Sequence, residues 1–537
     1  MDYKNSVVYQ IYVKSFCDSN GDGIGDLNGI RAKLPYLKSL GVDYIWVTPF
    51  FPSPMFDNGY DVADYRAVNP MFGTMSDCEA MIAEADRLGM GFMFDMVFNH
   101  TSWDHEWFKK ALAGDPEYMD YYIFRDKPLD WTASFGTPAW EYVPELNKWY
   151  LHLFDKSQPD LNWDNPKVRE ELKNVIRFWK GKGVKGFRFD VLNLISKPER
   201  IEDCGPGSGT SYCKDGHRIH EFIRELVTDT QIEDMVTVGE MASTTLENCI
   251  RYSNPESHEL SMCFNFHHLK VDYKDGDKWA LMEPDYVRLH DIFKEWQEEM
   301  SRRGGWNAVF WCNHDQPRVV SRFGDEGQYW RQSAKMLATF IHFLRGTPYV
   351  YEGEEIGMTN AHYTRIEQYN DVECINYYQI LRERGLSETD ALGVLAARSR
   401  DNSRTPMQWN PQHNAGFTNG TPWLEIPDNY RSINVETEER DPDSVLNYYR
   451  ALIQLRKRYP IIAEGEIRFL DTGNARVYAY ERSLGTQRLT VVCNFSGEGQ
   501  SATVAVPAGK VLLSSYGADT TPDTQSLRPY EAFAVLS

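Results

Sequence analysis

No apolar run in this 537-residue chain is long enough to span a bilayer, and the N-terminus, Met1-Asp2-Tyr3-Lys4-Asn5-Ser6, leads into a strand-like segment without a basic leader or an apolar signal core. A cytoplasmic protein with no membrane partner is the expectation. Positive charge is also in short supply: 57 Lys and Arg stand against 78 Asp and Glu, a formal net charge of −21. Nucleic acid and anionic membranes demand a basic face, so both are excluded as main partners, and an anionic substrate would need a local basic site. The nine cysteines are an odd count with no CxxC pair, which fits buried free thiols in a reducing compartment rather than a disulfide framework. Short-period repeats and low-complexity tracts are missing too.

What is there is enough chain for three or four domains at ~150 residues each, or for a barrel with insertions. The 14% aromatic content suits both stacking on sugar faces and a well-filled core. A monomer is expected.

Strand and helix alternate from the start: Val7 to Val13, a helix over Leu27 to Leu40, Val42 to Val47, a helix over Ser76 to Leu88, then Gly91 to Val97. Such alternation predicts a parallel (β/α)8 TIM barrel, whose chemistry sits at the C-terminal ends of its strands. Three apolar runs stop at carboxylates: Gly183 to Asp190, Asp234 to Glu240, and Asn307 to Asp315. Crowded together, Asp190, Glu240 and Asp315 repel, so at least one should hold a proton near neutrality, while Arg188 keeps another ionised. An acid beside a nucleophile is what a retaining glycosidase needs.

The alternation breaks between Thr101 and about Glu171, where tryptophans and prolines are scattered, so a small domain is expected inside the third βα loop. The barrel is assigned to residues 1–100 and 172–459, the insertion to 101–171, and a C-terminal all-β domain, with short alternating runs such as Val477 to Tyr480, to 460–537. In the loop Asp18 to Asp26 oxygen donors recur at every second position among glycines, which suits a hard divalent cation or a plain Gly/Asp turn.

The segments Gly186-Phe187-Arg188-Phe189-Asp190, Val238-Gly239-Glu240, Asn313-His314-Asp315-Gln316 and Asp95-Met96-Val97-Phe98-Asn99-His100 resemble, in order and spacing, four motifs of the α-amylase superfamily of glycoside hydrolases. Gln158-Pro159-Asp160-Leu161-Asn162 resembles the fingerprint of its oligo-1,6-glucosidase branch, and the likeness runs from about residue 5 to 455. By this resemblance Asp190 is the nucleophile, Glu240 the acid and base, and Asp315 the residue that holds sugar hydroxyls in the transition state, backed by His314. Tyr60 would stack on the first sugar ring and His100 would bond its hydroxyls. An ion pair between Asp57 and Arg404 would close the pocket behind a terminal glucose. The resemblance also implies a structural calcium held by Asp18, Asn20, Asp22, the Ile24 carbonyl and Asp26. Val191, after the nucleophile, is similar to the residue found where bonds other than α-1,4 are preferred.

For the leaving group, the block Phe264 to Asp272 closely resembles the trehalose-6-phosphate hydrolases. His267, His268 and Lys270 there are candidates for a sugar phosphate, since a cluster of donors with a cation is what a phosphate in a net-acidic protein demands. The expected activity is exo-acting hydrolysis of trehalose 6-phosphate to glucose and glucose 6-phosphate, with an oligo-1,6-glucosidase as the alternative and a transglycosidase or isomerase as a weaker third. A non-catalytic transporter subunit would need a membrane anchor and missing carboxylates, and this sequence has neither.

Overall fold

The computed structural model describes residues 2–203, 205, 207–517 and 520–537. Its centre is a sheet of eight parallel strands: β1 (Val8–Ile11), β2 (Tyr44–Val47), β3 (Gly91–Met96), β4 (Gly186–Phe189), β5 (Val236–Glu240), β6 (Met262–Phe264), β7 (Ala308–Val309) and β8 (Thr347–Tyr351). Their spatial order is β6-β5-β4-β3-β2-β1-β8-β7. A single parallel bridge between Cys263 and Asn307 joins the two ends, so the sheet is a barrel with one thin seam.

Every strand from β1 to β4 is buried along its whole length, as near-continuous apolar runs in a parallel sheet should be. Gly186 opens β4 because a Cβ there would meet the Val236 carbonyl oxygen at 2.6 Å and Met93 Cγ at 2.7 Å. Eight helices cover the strands: α1 (Leu27–Leu40), α2 (Met75–Arg87), α3 (Pro166–Gly181), α4 (Ile219–Thr230), α5 (Leu246–Ser253), α6 (Tyr286–Arg302), α7 (Trp330–His342) and α8 (Val445–Arg458). Their starts follow from local chemistry. Asp26 caps α1 through the Gly29 N–H, Thr74 and Asp77 form a capping box on α2, and α3 opens with Asn165 followed by Pro166.

β7 is shorter than its sequence predicts. The apolar run continues to Cys312, but the Phe310 carbonyl accepts from His268 Nε2 (2.9 Å) in place of a neighbouring strand.

Between β3 and α3 the chain forms a small antiparallel sheet from Phe124–Arg125, Lys148–Leu151 and Trp140–Val143. Trp131–Thr132 of this insertion pairs with Gly207–Ser208 from the loop after β4, tying it to the strand that carries Asp190. After β8, helices Val372–Glu383 and Glu388–Arg398 gather a separate apolar cluster around Trp279, Tyr369 and Leu395. The C-terminal sheet, β9 (Glu466–Leu470), β10 (Val477–Leu484), β11 (Gln487–Asn494), β12 (Lys510–Ser514) and β13 (Ala532–Leu536), is antiparallel in the order β9-β10-β11-β13-β12. It rests on the barrel helices that flank the seam: the Phe469 N–H donates to Glu298 of α6, and Tyr480 Oη donates to the Phe340 carbonyl of α7. The eight described cysteines are all buried free thiols. No described helix is long and apolar enough to cross a membrane.

Candidate active site

Arg188, the third residue of β4, is the hub. Its side chain points into the barrel and is almost wholly buried. Nη1 donates to Asp95 Oδ1 (2.7 Å) and to Asp190 Oδ1 (2.6 Å), while Nη2 donates to Glu240 Oε2. Three adjacent strands, β3, β4 and β5, thus aim their carboxylates at one guanidinium. Asp95, the first residue of the Asp95 to His100 motif, also accepts from Trp46 Nε1 (3.0 Å) and Tyr60 Oη (2.9 Å).

Burial works against charge here. It pushes the Glu240 carboxyl up to about 8, opposed by Arg188 and reinforced by Asp190, Asp315 and Asp95. Burial likewise pushes Asp95 up to about 7 against the pull of Arg188. The surroundings of Glu240 therefore favour its protonated form.

Across the opening stands Asp315. Burial works to raise its carboxyl, but the charges of Arg400 and Arg404 outweigh it and hold the group well below the usual carboxylate range. Arg404 Nη2 donates to Asp315 Oδ1 at 2.8 Å and Arg400 Nη1 at 3.3 Å. His314 is neutral, its imidazole pushed down to about 3 chiefly by burial. Its Nδ1 lies 2.7 Å from Gln10 Nε2, which donates to it, leaving Nε2 to carry the proton 3.3 Å from Asp315 Oδ2. The Tyr60 ring stacks on His314 with ring centroids 5.1 Å apart and planes 3° from parallel.

The pair expected between Asp57 and Arg404 is corrected by the geometry. Asp57 Oδ1 meets Arg400 Nη2 at 3.0 Å, and Arg404 serves Asp315 and the His314 carbonyl instead. Arg400 also donates to Asp371, a residue that nothing in the sequence had singled out. Burial pushes Asp57 up to about 7 in spite of Arg400 and Arg404. On the side of the insertion, His100 Nε2 lies 3.1 Å from the Tyr60 carbonyl and Gln158 Nε2 lies 3.1 Å from Asp57 Oδ2. Lys197 Nζ donates to Asn99 Oδ1 (2.7 Å) and pairs with Asp160 (2.6 Å), locking the third strand's exit to the insertion.

Of the three phosphate candidates, His268 does not reach this rim. It is buried against Phe293, Phe310 and Trp311, its Nε2 spent on the Phe310 carbonyl, and burial lowers its imidazole to about 3. His267 Nε2 contacts the Thr244 carbonyl (2.8 Å), and Lys270 Nζ donates to Ser243 Oγ. Both contacts fall on the loop that follows Glu240. Lys214 and Arg288 add positive charge around His267, and neither Lys270 nor Lys214 has a carboxylate partner among the described residues.

In the first βα loop, Asp18 accepts from the N–H groups of Asn20, Gly21 and Gly23, Asn20 Oδ1 accepts from the Asp22 N–H, and Asp22 Oδ1 accepts from the Ile24 N–H. Asp18, Asn20 and Asp22 thus share one wrapped, largely exposed turn. Asp26 differs: it is buried, and its oxygens serve Ser19 and the first turn of α1. Among the described residues no three His, Cys, Asp or Glu side chains gather as a metal cluster.

A nearly closed parallel barrel that brings carboxylates from its strand ends to one guanidinium suits the two-carboxylate chemistry of a glycoside hydrolase. The chain belongs to the α-amylase family: the alpha amylase catalytic domain matches residues 10–465, and the maltogenic amylase C-terminal domain matches residues 467–533. It is 47% identical to the trehalose-6-phosphate hydrolase of Bacillus subtilis (strain 168), covering 99% of this chain and 97% of that one. Likeness to the oligo-1,6-glucosidase of Parageobacillus thermoglucosidasius is 44%, over 99% of this chain and 98% of the other. Among solved structures, Bacillus licheniformis trehalose-6-phosphate hydrolase superposes with a TM-score of 0.94 at 48% identity, covering 99% of each chain.

Proposed function

We propose that this enzyme is a retaining, exo-acting α-glucoside hydrolase that splits trehalose 6-phosphate into glucose and glucose 6-phosphate. The observation that carries the mechanism is the shared guanidinium: Asp190 and Glu240 are both held by Arg188. Two carboxyls on one guanidinium suit the ~5–5.5 Å spacing of a retaining enzyme better than the ~6.5–9.5 Å that admits a water between them. Asp190 attacks the anomeric carbon as Glu240 gives its proton to the leaving oxygen. Water then attacks the glucosyl-enzyme, losing its proton to Glu240, and the sugar leaves with its configuration kept. Asp315, anionic between Arg400 and Arg404, is placed to strengthen its bonds to sugar hydroxyls as positive charge grows on the ring.

The phosphate reading draws on Lys270 and Lys214, which have no carboxylate partner among the described residues and lie beside the loop after Glu240, and on the likeness to trehalose-6-phosphate hydrolases. Likeness to oligo-1,6-glucosidases supports a second reading, hydrolysis of isomaltose-type sugars. The test is an assay of trehalose 6-phosphate, trehalose and isomaltose side by side, with the anomer released followed by NMR. The phosphorylated sugar should have the highest kcat/KM and release α-glucose first. Preference for isomaltose would install the second reading, and β-glucose as first product would overturn retention.

A structural calcium is proposed for the first βα loop. Asp18, Asn20, Asp22 and the Ile24 carbonyl supply the hard oxygen donors such an ion takes, whereas Asp26 fits less well because it caps α1. The buried free thiols support a reducing, cytoplasmic setting.

A further inference from the structure

Asp215 lies in the excursion between β4 and α4, yet it touches the exits of both strands that carry the reacting carboxylates. Its N–H donates to the Asn193 carbonyl (2.8 Å), and its Oδ1 accepts from Asn193 Nδ2 (3.2 Å). Asn193, fully buried, belongs to the short turn that follows Asp190. On the other side Oδ2 accepts from Thr244 Oγ1 (2.8 Å), in the loop that follows Glu240, and Oδ1 also accepts from Tyr252 Oη of α5 (2.8 Å). Asn193 Nδ2 closes the ring by donating to the Ala242 carbonyl (3.1 Å). The excursion is seated tightly: a Cβ on Gly216 would collide with the Ser196 carbonyl oxygen, and the Arg218 N–H donates to Ser196 Oγ (3.1 Å).

Both exits are strained. Val191, next after Asp190, has φ 36° and ψ 41°, and Ser243, after Glu240, has φ 54°. A residue with a side chain, above all a β-branched one, persists in that region only where its surroundings over-determine it. Asp215 supplies contacts just beyond each strained residue, at Asn193 and at Thr244. We infer that Asp215 is a positioning residue, which ties the loop after Asp190 to the loop after Glu240 and so sets the separation of the two carboxyls at the strand ends. The inference rests on the reading of Asp190 as nucleophile and Glu240 as acid. Asparagine can keep the bracket: its carbonyl still accepts from Asn193 and Tyr252, and its amide donates to the Thr244 hydroxyl, which accepts as well as donates. Alanine keeps none of the side-chain contacts.

The test compares wild type, Asp215→Ala, Asp215→Asn and Thr244→Val on a neutral aryl α-glucoside, well below each melting temperature, which is measured in parallel. Wild type and Asp190→Asn are assayed first; no cleavage by the former, or undiminished turnover by the latter, overturns the functional reading and the inference with it. Asp215→Ala should lower kcat about a hundredfold, the scale on which a misplacement of about 1 Å acts, with KM changed less than about twofold. Of the charges facing Glu240, Asp190, Asp315 and Asp95 favour its protonated form and Arg188 opposes it. Once Asp190 drifts away, the basic limb of kcat/KM should therefore move to lower pH. Asp215→Asn should recover most of kcat and the wild-type limb. Should Asp215→Ala fail to fold, Thr244→Val decides by the same split, with kcat down about tenfold for one lost hydrogen bond to a charged group and KM unchanged. Unchanged kcat in the folded variants, a loss that Asp215→Asn does not recover, or a fall in kcat that tracks the melting temperature with the limb unmoved would overturn the inference.

Discussion

Asp57 and Arg400 are joined at 3.0 Å, both buried, across a span of more than three hundred residues. Asp57 pairs with Arg400, whereas Arg404 turns to Asp315. Because both charges are desolvated, removing one strands the other, at a cost of about 3–5 kcal/mol. Arg400→Ala and Asp57→Ala should each raise KM for an α-glucoside strongly and lower the melting temperature. The double variant should be no worse than the poorer single one, as a double-mutant cycle would reveal. Additive losses would mean the two act separately.

Glu240→Gln should cut kcat on a sugar leaving group by about 10²–10⁴, the usual worth of general acid catalysis, and cost far less on an aryl leaving group in the first step. Asp190→Asn should abolish turnover on both, with circular dichroism unchanged.

The pH profile follows from burial. Glu240, raised to about 8, is the competent acid below that pH, so kcat/KM should fall as pH climbs through about 8. Stability carries the same sign. Asp57, Asp95, Glu240 and Glu354 are all raised by burial to about 7 or 8, above an unfolded value of about 4. The stability they contribute is fully present below the unfolded value and is lost as pH rises to about 8. Melting temperature measured from pH 6 to 9 should decline, and Glu354→Gln should flatten that decline.

Lys270→Ala should raise KM for trehalose 6-phosphate by an amount worth ~1.5–3 kcal/mol, with an aryl glucoside much less affected. His268→Ala should act differently, lowering the melting temperature by exposing the Phe310 carbonyl and leaving a cavity between α6 and β7. Equal damage to both substrates by Lys270→Ala would assign that lysine to bracing the Ser243 loop.

Thorough calcium chelation should lower the melting temperature more than turnover at moderate temperature, since an ion bound by the native state alone stabilises it by mass action, ~2.7 kcal/mol at one hundred times its dissociation constant. An unchanged melting curve would remove the ion from the loop.

The barrel was legible because its strands recur as short, mostly apolar runs between helices, and the rim because β4 and β5 end at carboxylates, ends that face one way in a parallel barrel. Arg400 was not separable from Arg404 in the sequence. The two stand four apart around a single helical turn, Asp401–Arg404, so both reach Asp315 and Asp371, and only Arg400 extends to Asp57. His268 misled for a related reason. It lies in a 3-10 turn, His267–Lys270, where positions three apart share a face, so His267 and Lys270 point one way and His268 turns into the core. Asp371 left no trace at all, its role depending on an excursion after β8 that has no barrel periodicity.

The thin seam of the barrel gives the C-terminal sheet a task beyond covering apolar surface. With one bridge between β6 and β7, the wall there resembles two adjoining sheet edges, the kind of surface that recruits foreign strands. Glu298 of α6 and Phe340 of α7 are gripped by β9 and β10, so the sheet works as a clasp across the weakest join. A chain shortened by that sheet would unzip first at β6 and β7, where hydrogen exchange would quicken, and would aggregate through that opening while the Arg188 face of the barrel still held its shape.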